Sequence, residues 1–138
     1  MKIIRDYPPN IEAIRAEFEL NPRVVFTYGE TIYNPGGGKI TDDLMVHEET
    51  HAKQQGDDPG AWWDRYLVDV DFRLNQEVEA YQNQYQYFKE TKCYKNGRLR
   101  ETRLNTFLSR IANDLASPIY GGVISKESAR NLIKASDV

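Results

Sequence analysis

Apolar residues recur along this chain at helical spacing, except for one short run that is dense in β-branched and aromatic side chains. Ile11, Ile14 and Phe18 fall at i, i+3 and i+7 behind Asn10, which predicts a short first helix capped by Asn10 and ended by Asn21-Pro22. The run Arg23-Val24-Val25-Phe26-Thr27-Tyr28 predicts a strand. Gly29-Glu30 is a turn and Thr31-Ile32-Tyr33 a second strand, so the two predict a small antiparallel hairpin. Asn34-Pro35-Gly36-Gly37-Gly38 reads as a flexible connector. It is not a phosphate loop, because Lys39 is followed by Ile40 rather than Ser or Thr. Thr41 as cap, Asp42 and Asp43 in the first turn and Gly56 as a stop predict a helix from Asp42 to Gln55. Asp58-Pro59 opens the next helix. From Trp62 to Glu90 no proline or glycine interrupts, so this stretch is either one long helix or two meeting near Asp69-Val70-Asp71. Asn96-Gly97 marks a type I′ hairpin. Leu104, Phe107, Leu108, Ile111 and Leu115 predict an amphipathic helix ended by Ser117-Pro118. Residues 119–124 follow as a loop or short strand, and Ser125 caps a last helix with Ala129, Leu132 and Ile133 inward. The sum is an α+β fold in a single domain, residues 1–138, mostly helical with a small antiparallel sheet beside the Asp42–Gln55 helix.

Composition narrows the function classes. Hydrophobic residues make up 40% of the chain and charged residues 28%, as in an ordinary globular domain. A net charge of -3 is the wrong sign for a nucleic-acid footprint, so no nucleic-acid partner is expected. The basic residues of 89–103 read as a solvated edge. Cys93 is the only cysteine, which excludes a disulfide framework and a cysteine-rich zinc site. No apolar run reaches membrane-spanning length, and Met1–Pro9 lacks the apolar region of a signal peptide. The cytoplasm is the expected compartment and no membrane partner is expected.

The chemistry concentrates in Val46-His47-Glu48-Glu49-Thr50-His51, a His-Glu-x-x-His motif. On a helix, residues four apart project from one face, so His47 and His51 can present two imidazole nitrogens to a single metal ion. Glu48 stands where it can reach a water beside that ion. These are the only two histidines in the chain, which leaves none for a serine- or cysteine-based hydrolase. A catalytic zinc takes three protein ligands and keeps one position open, so a carboxylate is needed. Leu74, Val78, Tyr81, Tyr85 and Phe88 define a buried stripe on the later helix. Glu77 lies about 60° from its centre and Glu79 about 140° away, toward solvent. This selects Glu77 as the third ligand and Glu79 as a surface charge.

His47-Glu48-x-x-His51 followed 26 residues later by Glu77-x-x-Ala80-Tyr81 resembles the small gluzincins among the zincin-like metallopeptidases. The resemblance spans about residues 24 to 90. It implies a zincin-like minimal core, one Zn2+ ion on His47, His51 and Glu77, and Glu48 as catalytic base toward a peptide or protein substrate. It further implies an edge strand near Thr31–Asn34 lining the cleft and pairing with an extended peptide. In the implied mechanism, zinc lowers the pKa of a water to about 7 from 15.7 in bulk. Glu48 takes the proton as the water attacks the carbonyl and hands it to the leaving amine. With no spare histidine, the oxyanion donor falls to a tyrosine: Tyr85, Tyr81 or Tyr120. Tyr81 stands where many relatives carry an acidic or amide residue that supports a ligand histidine. The competing reading is a non-catalytic binding or assembly protein on the same scaffold, which would have no use for Glu48.

Overall fold

The computed structural model describes residues 1–138. The elements are β1 (Lys2–Ile4), α1 (Ile11–Glu17), β2 (Phe26–Tyr28), β3 (Thr31–Tyr33), α2 (Asp42–Gln55), α3 (Pro59–Val68) and α4 (Val70–Lys92). There follow β4 (Tyr94–Lys95), β5 (Arg98–Leu99), α5 (Glu101–Leu115), a 3-10 turn (Pro118–Tyr120) and α6 (Lys126–Lys134). The class is α+β and mostly helical, as the apolar periodicity predicts. No helix is long and apolar enough to cross a membrane.

The stretch from Trp62 to Glu90 resolves into two helices. Asp69 ends α3 in an extended conformation, and its carboxylate then accepts from the Phe72 N–H at 3.0 Å to start α4. One residue thus breaks the helix and caps its successor, which turns α4 back across α2. The hairpin at Asn96-Gly97 has both residues at positive φ, 53° and 75°, as a type I′ turn requires.

The three-stranded sheet departs from expectation at two points. β2 and β3 pair antiparallel, with Thr27 opposite Ile32, as the hairpin signal predicts. The N-terminal β1 adds parallel to the other side of β3. β3 is therefore the central strand and not the edge strand expected near Thr31–Asn34. The edge facing the helices is β2, and its strand begins only at Phe26, because the Val24 N–H turns back onto the Asn21 carbonyl. That edge is closed to pairing at its middle. The Thr27 carbonyl accepts from Gln55 Nε2 at 2.8 Å and from Trp63 Nε1 at 3.0 Å. The Gly29 N–H donates to the same amide's Oε1 at 2.7 Å. A carbonyl has two lone pairs, so the Thr27 oxygen is filled.

Two apolar clusters flank the α2–α4 pair. One gathers Ile14, Phe26, Trp62, Trp63, Tyr66 and Leu67 between the sheet, α1 and α3. The other joins the far half of α4 to α5 and α6 through Tyr85, Leu104, Leu108, Ile111, Leu115 and Ile133. Leu132, expected inward, is instead among the exposed apolar residues, since the buried row of α6 runs through Ala129 and Ile133. Within the stretch 119–124, expected as a loop or short strand, no strand forms, and Pro118–Tyr120 close into the 3-10 turn that carries Tyr120.

Candidate metal centre

Between the two clusters, the facing sides of α2 and α4 are polar and buried. The buried residues of α2 are Asp43, His47, Glu48, Thr50, His51 and Gln55, with no aliphatic side chain among them. On α4 the most deeply buried row holds Arg73, Glu77, Ala80, Tyr81, Gln84 and Tyr85, whereas Leu74, Val78 and Phe88 are half-buried. Glu77 is thus in the most buried row, 2% exposed, rather than at its margin, and Glu79 is exposed.

His47, His51 and Glu77 form the one group in the structure able to hold a metal ion. The two Nε2 atoms are 3.1 Å apart. Glu77 Oε1 lies 3.2 Å from His47 Nε2 and 3.3 Å from His51 Nε2. A tetrahedral ion with bonds of about 2.0 Å sets its ligands about 3.3 Å apart. The three donors therefore already lie along the edges of such a tetrahedron, with one vertex left over.

The hydrogen bonds behind the histidines fix which nitrogen faces inward. His47 Nδ1 lies 3.0 Å from Gln84 Oε1, and Gln84 Nε2 donates to Asp43 Oδ2 at 2.8 Å. His51 Nδ1 lies 2.8 Å from Gln54 Oε1, and Gln54 Nε2 donates to the Gln76 carbonyl and to Glu79 Oε1. An amide oxygen only accepts, so both Nδ1 atoms carry protons, and Nε2 is the atom each ring can offer for coordination. Glu77 is held in turn by the Tyr66 hydroxyl, which donates to its Oε2 at 2.7 Å.

Electrostatics agree with a cation-seeking site. Burial works against charge on His51. The Glu77 carboxylate outweighs it by charge and hydrogen bond, with help from Glu48 and Gln54, so that His51 sits at about 9. Burial alone would raise Glu77, yet the two histidines draw it well below the usual carboxylate range. The raised pKa of His51 thus places a proton among groups that could hold a metal cation instead.

Glu48 is buried beside this group without belonging to it. Its Oε1 accepts from the Thr27 hydroxyl at 3.0 Å, and its Oε2 lies 3.8 Å from His47 Nε2. Burial lifts its pKa above the ordinary value, although both histidines and the Thr27 hydroxyl pull the other way. Oε2 has no hydrogen-bond donor in the protein and faces the centre.

The three tyrosines part company. Tyr85 donates to Asp137 Oδ2 at 2.8 Å inside the α4–α5–α6 cluster, away from the histidines. Tyr81 packs edge-on against the His47 ring, centroids 4.4 Å apart, and shares a 2.8 Å hydrogen bond with the Tyr120 hydroxyl. The hydrogen bond that supports the His47 ring comes from Gln84, one turn beyond Tyr81. Burial, and next the Glu77 charge, push the pKa values of Tyr81 and Tyr120 well above ordinary, so both hydroxyls keep their protons. Arg73 fixes Tyr120: its Nε donates to the Tyr120 carbonyl at 3.1 Å and its Nη1 to the Tyr66 carbonyl at 2.8 Å. Gly121 follows at φ 93°, and a Cβ there would stand 3.3 Å from Arg73 Nη2.

The histidines, Glu48 and Glu77 line an inner cavity of about 70 Å³, walled by Trp62, Tyr66 and Tyr120. His47, Glu48, Tyr81 and Tyr120 also face an outer cleft of about 860 Å³ between residues 19–25 and the C-terminal end of α5. The supporting roles of Gln54, Gln84, Asp43 and Tyr66 escaped the reading of the sequence, although Gln84 lies two helical turns beyond Glu77 on the same face. In comparisons with known proteins, no family model, no curated protein and no solved structure matches this chain.

Proposed function

We propose that this protein is a zinc-dependent hydrolase acting on peptide bonds, with His47, His51 and Glu77 as ligands and Glu48 as general base. The observation that carries the reading is the pairing of a convergent Nε2/Nε2/carboxylate set with a buried carboxylate that is not part of it. Two imidazoles and one carboxylate with a vacant tetrahedral vertex suit zinc better than the oxygen-loving cations. A zinc ion held there supplies Lewis acidity, bringing the pKa of a water to about 7 and polarising a substrate carbonyl.

The chain's own groups do the rest. The Thr27 hydroxyl anchors Glu48 Oε1, so Oε2 is the atom that receives the water's proton and later delivers it to the departing amine. A raised pKa suits a group that must both take and release a proton near neutrality. Tyr120, which reaches both inner cavity and outer cleft, donates its O–H to the developing oxyanion. Tyr81 orients it through the 2.8 Å hydrogen bond. Trp62 and Tyr66 wall the inner cavity, and their low-dielectric surface strengthens each of these interactions.

The filled Thr27 carbonyl favours a second reading, a metal-holding binding module, because the β2 edge offers no ladder to an extended peptide there. The Glu48→Gln variant separates the two. A zinc hydrolase loses about 10²–10⁴ of its peptide cleavage rate with its metal content intact. A binding module shows no cleavage to lose.

A further inference from the structure

The outer cleft carries a charge that the fold does not neutralise. Its wall includes the last turn of α5, and Asp114 stands there. A carboxylate in the last turn of a helix opposes the macrodipole, which is negative at that end. No basic residue occupies that turn. Asp114 makes no ion pair anywhere in the structure. Its natural helical partner, Arg110 at i-4, lies over the Phe107 ring and 3.9 Å from Asp43 instead. Asp114 is exposed at the cleft wall, and partial desolvation there raises its pKa, with Arg110 and His47 pulling it back in part. Of the four carboxylate or cationic side chains lining the cleft, Glu19, Glu48 and Asp114 are acidic and Arg23 alone is basic.

The placement is locally unfavourable and yet opens onto the groups of the candidate centre. With the β2 edge closed at Thr27, recognition of a substrate falls to the side chains of this cleft. We infer that Asp114 is a specificity-determining residue that selects a cationic group on the peptide, seated at the negative end of α5 beside the metal centre. That group is an ammonium or guanidinium, borne either by a Lys or Arg side chain or by a free N-terminus. This inference rests on the proposed peptide-hydrolase reading for the site.

Binding measured apart from cleavage tests it. Fluorescein-labelled peptides of one length, carrying Lys/Arg, neutral or Glu residues, each with a free and an acetylated N-terminus, are titrated with the zinc-supplied Glu48→Gln protein. Anisotropy is read at low and high salt. The expected result is at least ten-fold tighter binding of cationic than acidic peptides, weakening with salt, with most of that ratio lost in Glu48→Gln/Asp114→Asn. Loss on acetylation alone assigns the cation to the N-terminus; its persistence assigns it to the side chain. The melting temperature of Asp114→Asn stays level or rises, because an unfavourable charge is removed, so lost preference is not lost folding. Equal binding of all peptides, a preference untouched by Asp114→Asn, or no binding at all overturns the inference. Charge-selective binding without cleavage by the parent protein defeats the hydrolase reading and leaves the cationic site standing.

Discussion

The buried surface of α4 has two halves of opposite character. The first faces α2 through Glu77, Tyr81 and Gln84, against His47 and His51. The second faces α5 and α6 through Tyr85 and the half-buried Leu74, Val78 and Phe88, against Leu104, Phe107, Leu108, Ile111 and Ile133. The second is a conventional hydrophobic core, stabilised in proportion to apolar area removed from water. The first buries ionisable groups whose desolvation opposes folding unless each is paired. It is paired at all but one atom, Glu48 Oε2: Asp43 to Gln84, Gln84 to His47, Glu77 to both histidines and Tyr66, Glu48 Oε1 to Thr27. A chain does not need such a layer to hold three helices together, since α4, α5 and α6 manage with largely apolar side chains. The proposed metal site accounts for the layer.

The comparison predicts that the halves fail separately. Stripping metal from a loaded sample with a chelator removes about 4 kcal/mol of stability if free metal stood at about 1,000 times its dissociation constant. Hydrogen exchange should then rise in α2 and around Glu77 in α4, and not in α5 or α6. Leu108→Ala, in a fully buried position, should cost about 2–5 kcal/mol in denaturant unfolding while leaving metal stoichiometry unchanged. Loss of metal in that variant would mean that the halves are coupled.

Gln84→Leu sharpens the boundary. It keeps the volume of the side chain but removes the acceptor that holds His47 Nδ1–H, so metal affinity should drop about 10–100-fold in competition titrations. Unchanged affinity would deny the orienting role.

The smallest effect belongs to the outer end of the apolar half. Burial would raise the pKa of Asp137, but Lys89, Tyr85 and Gln86 donate to it and set it below its ordinary 3.8. A lowered folded-state pKa gives stability that is full above the ordinary value and is lost as pH falls through the folded one. Asp137→Asn should therefore cost under about 1 kcal/mol at neutral pH, and its gap from the parent should close below about pH 4. A gap that widens on acidification would reverse the sign.

How much of this was legible in the sequence follows from the range of each interaction. The bounds of α2 were legible because Thr41, Asp42, Asp43 and Gly56 are local signals. So was the choice of Glu77 over Glu79, which needs only helical phase. The break at Asp69 was legible as an alternative, since Asp69-Val70-Asp71 interrupts the periodicity without proline or glycine. The role of β1 was not, because its partner β3 lies about thirty residues on and three residues carry no pattern. Nor were the glutamine relays: Gln84 and Gln54 look like any surface amide until α2 and α4 are docked. The buried stripe was misplaced for the same reason. Apolar spacing finds the face toward α5 and α6, and is blind to a buried face made of His, Glu and Gln.

The central claim is that His47, His51 and Glu77 together hold one zinc ion. Elemental analysis of the purified protein, beside His51→Ala and Glu77→Ala at equal purity and after equal exposure to zinc, addresses it most directly. The account predicts one equivalent of zinc in the parent and little or none in either variant. A parent that folds and takes up no zinc when it is supplied, or variants that hold it as well as the parent, would contradict the account.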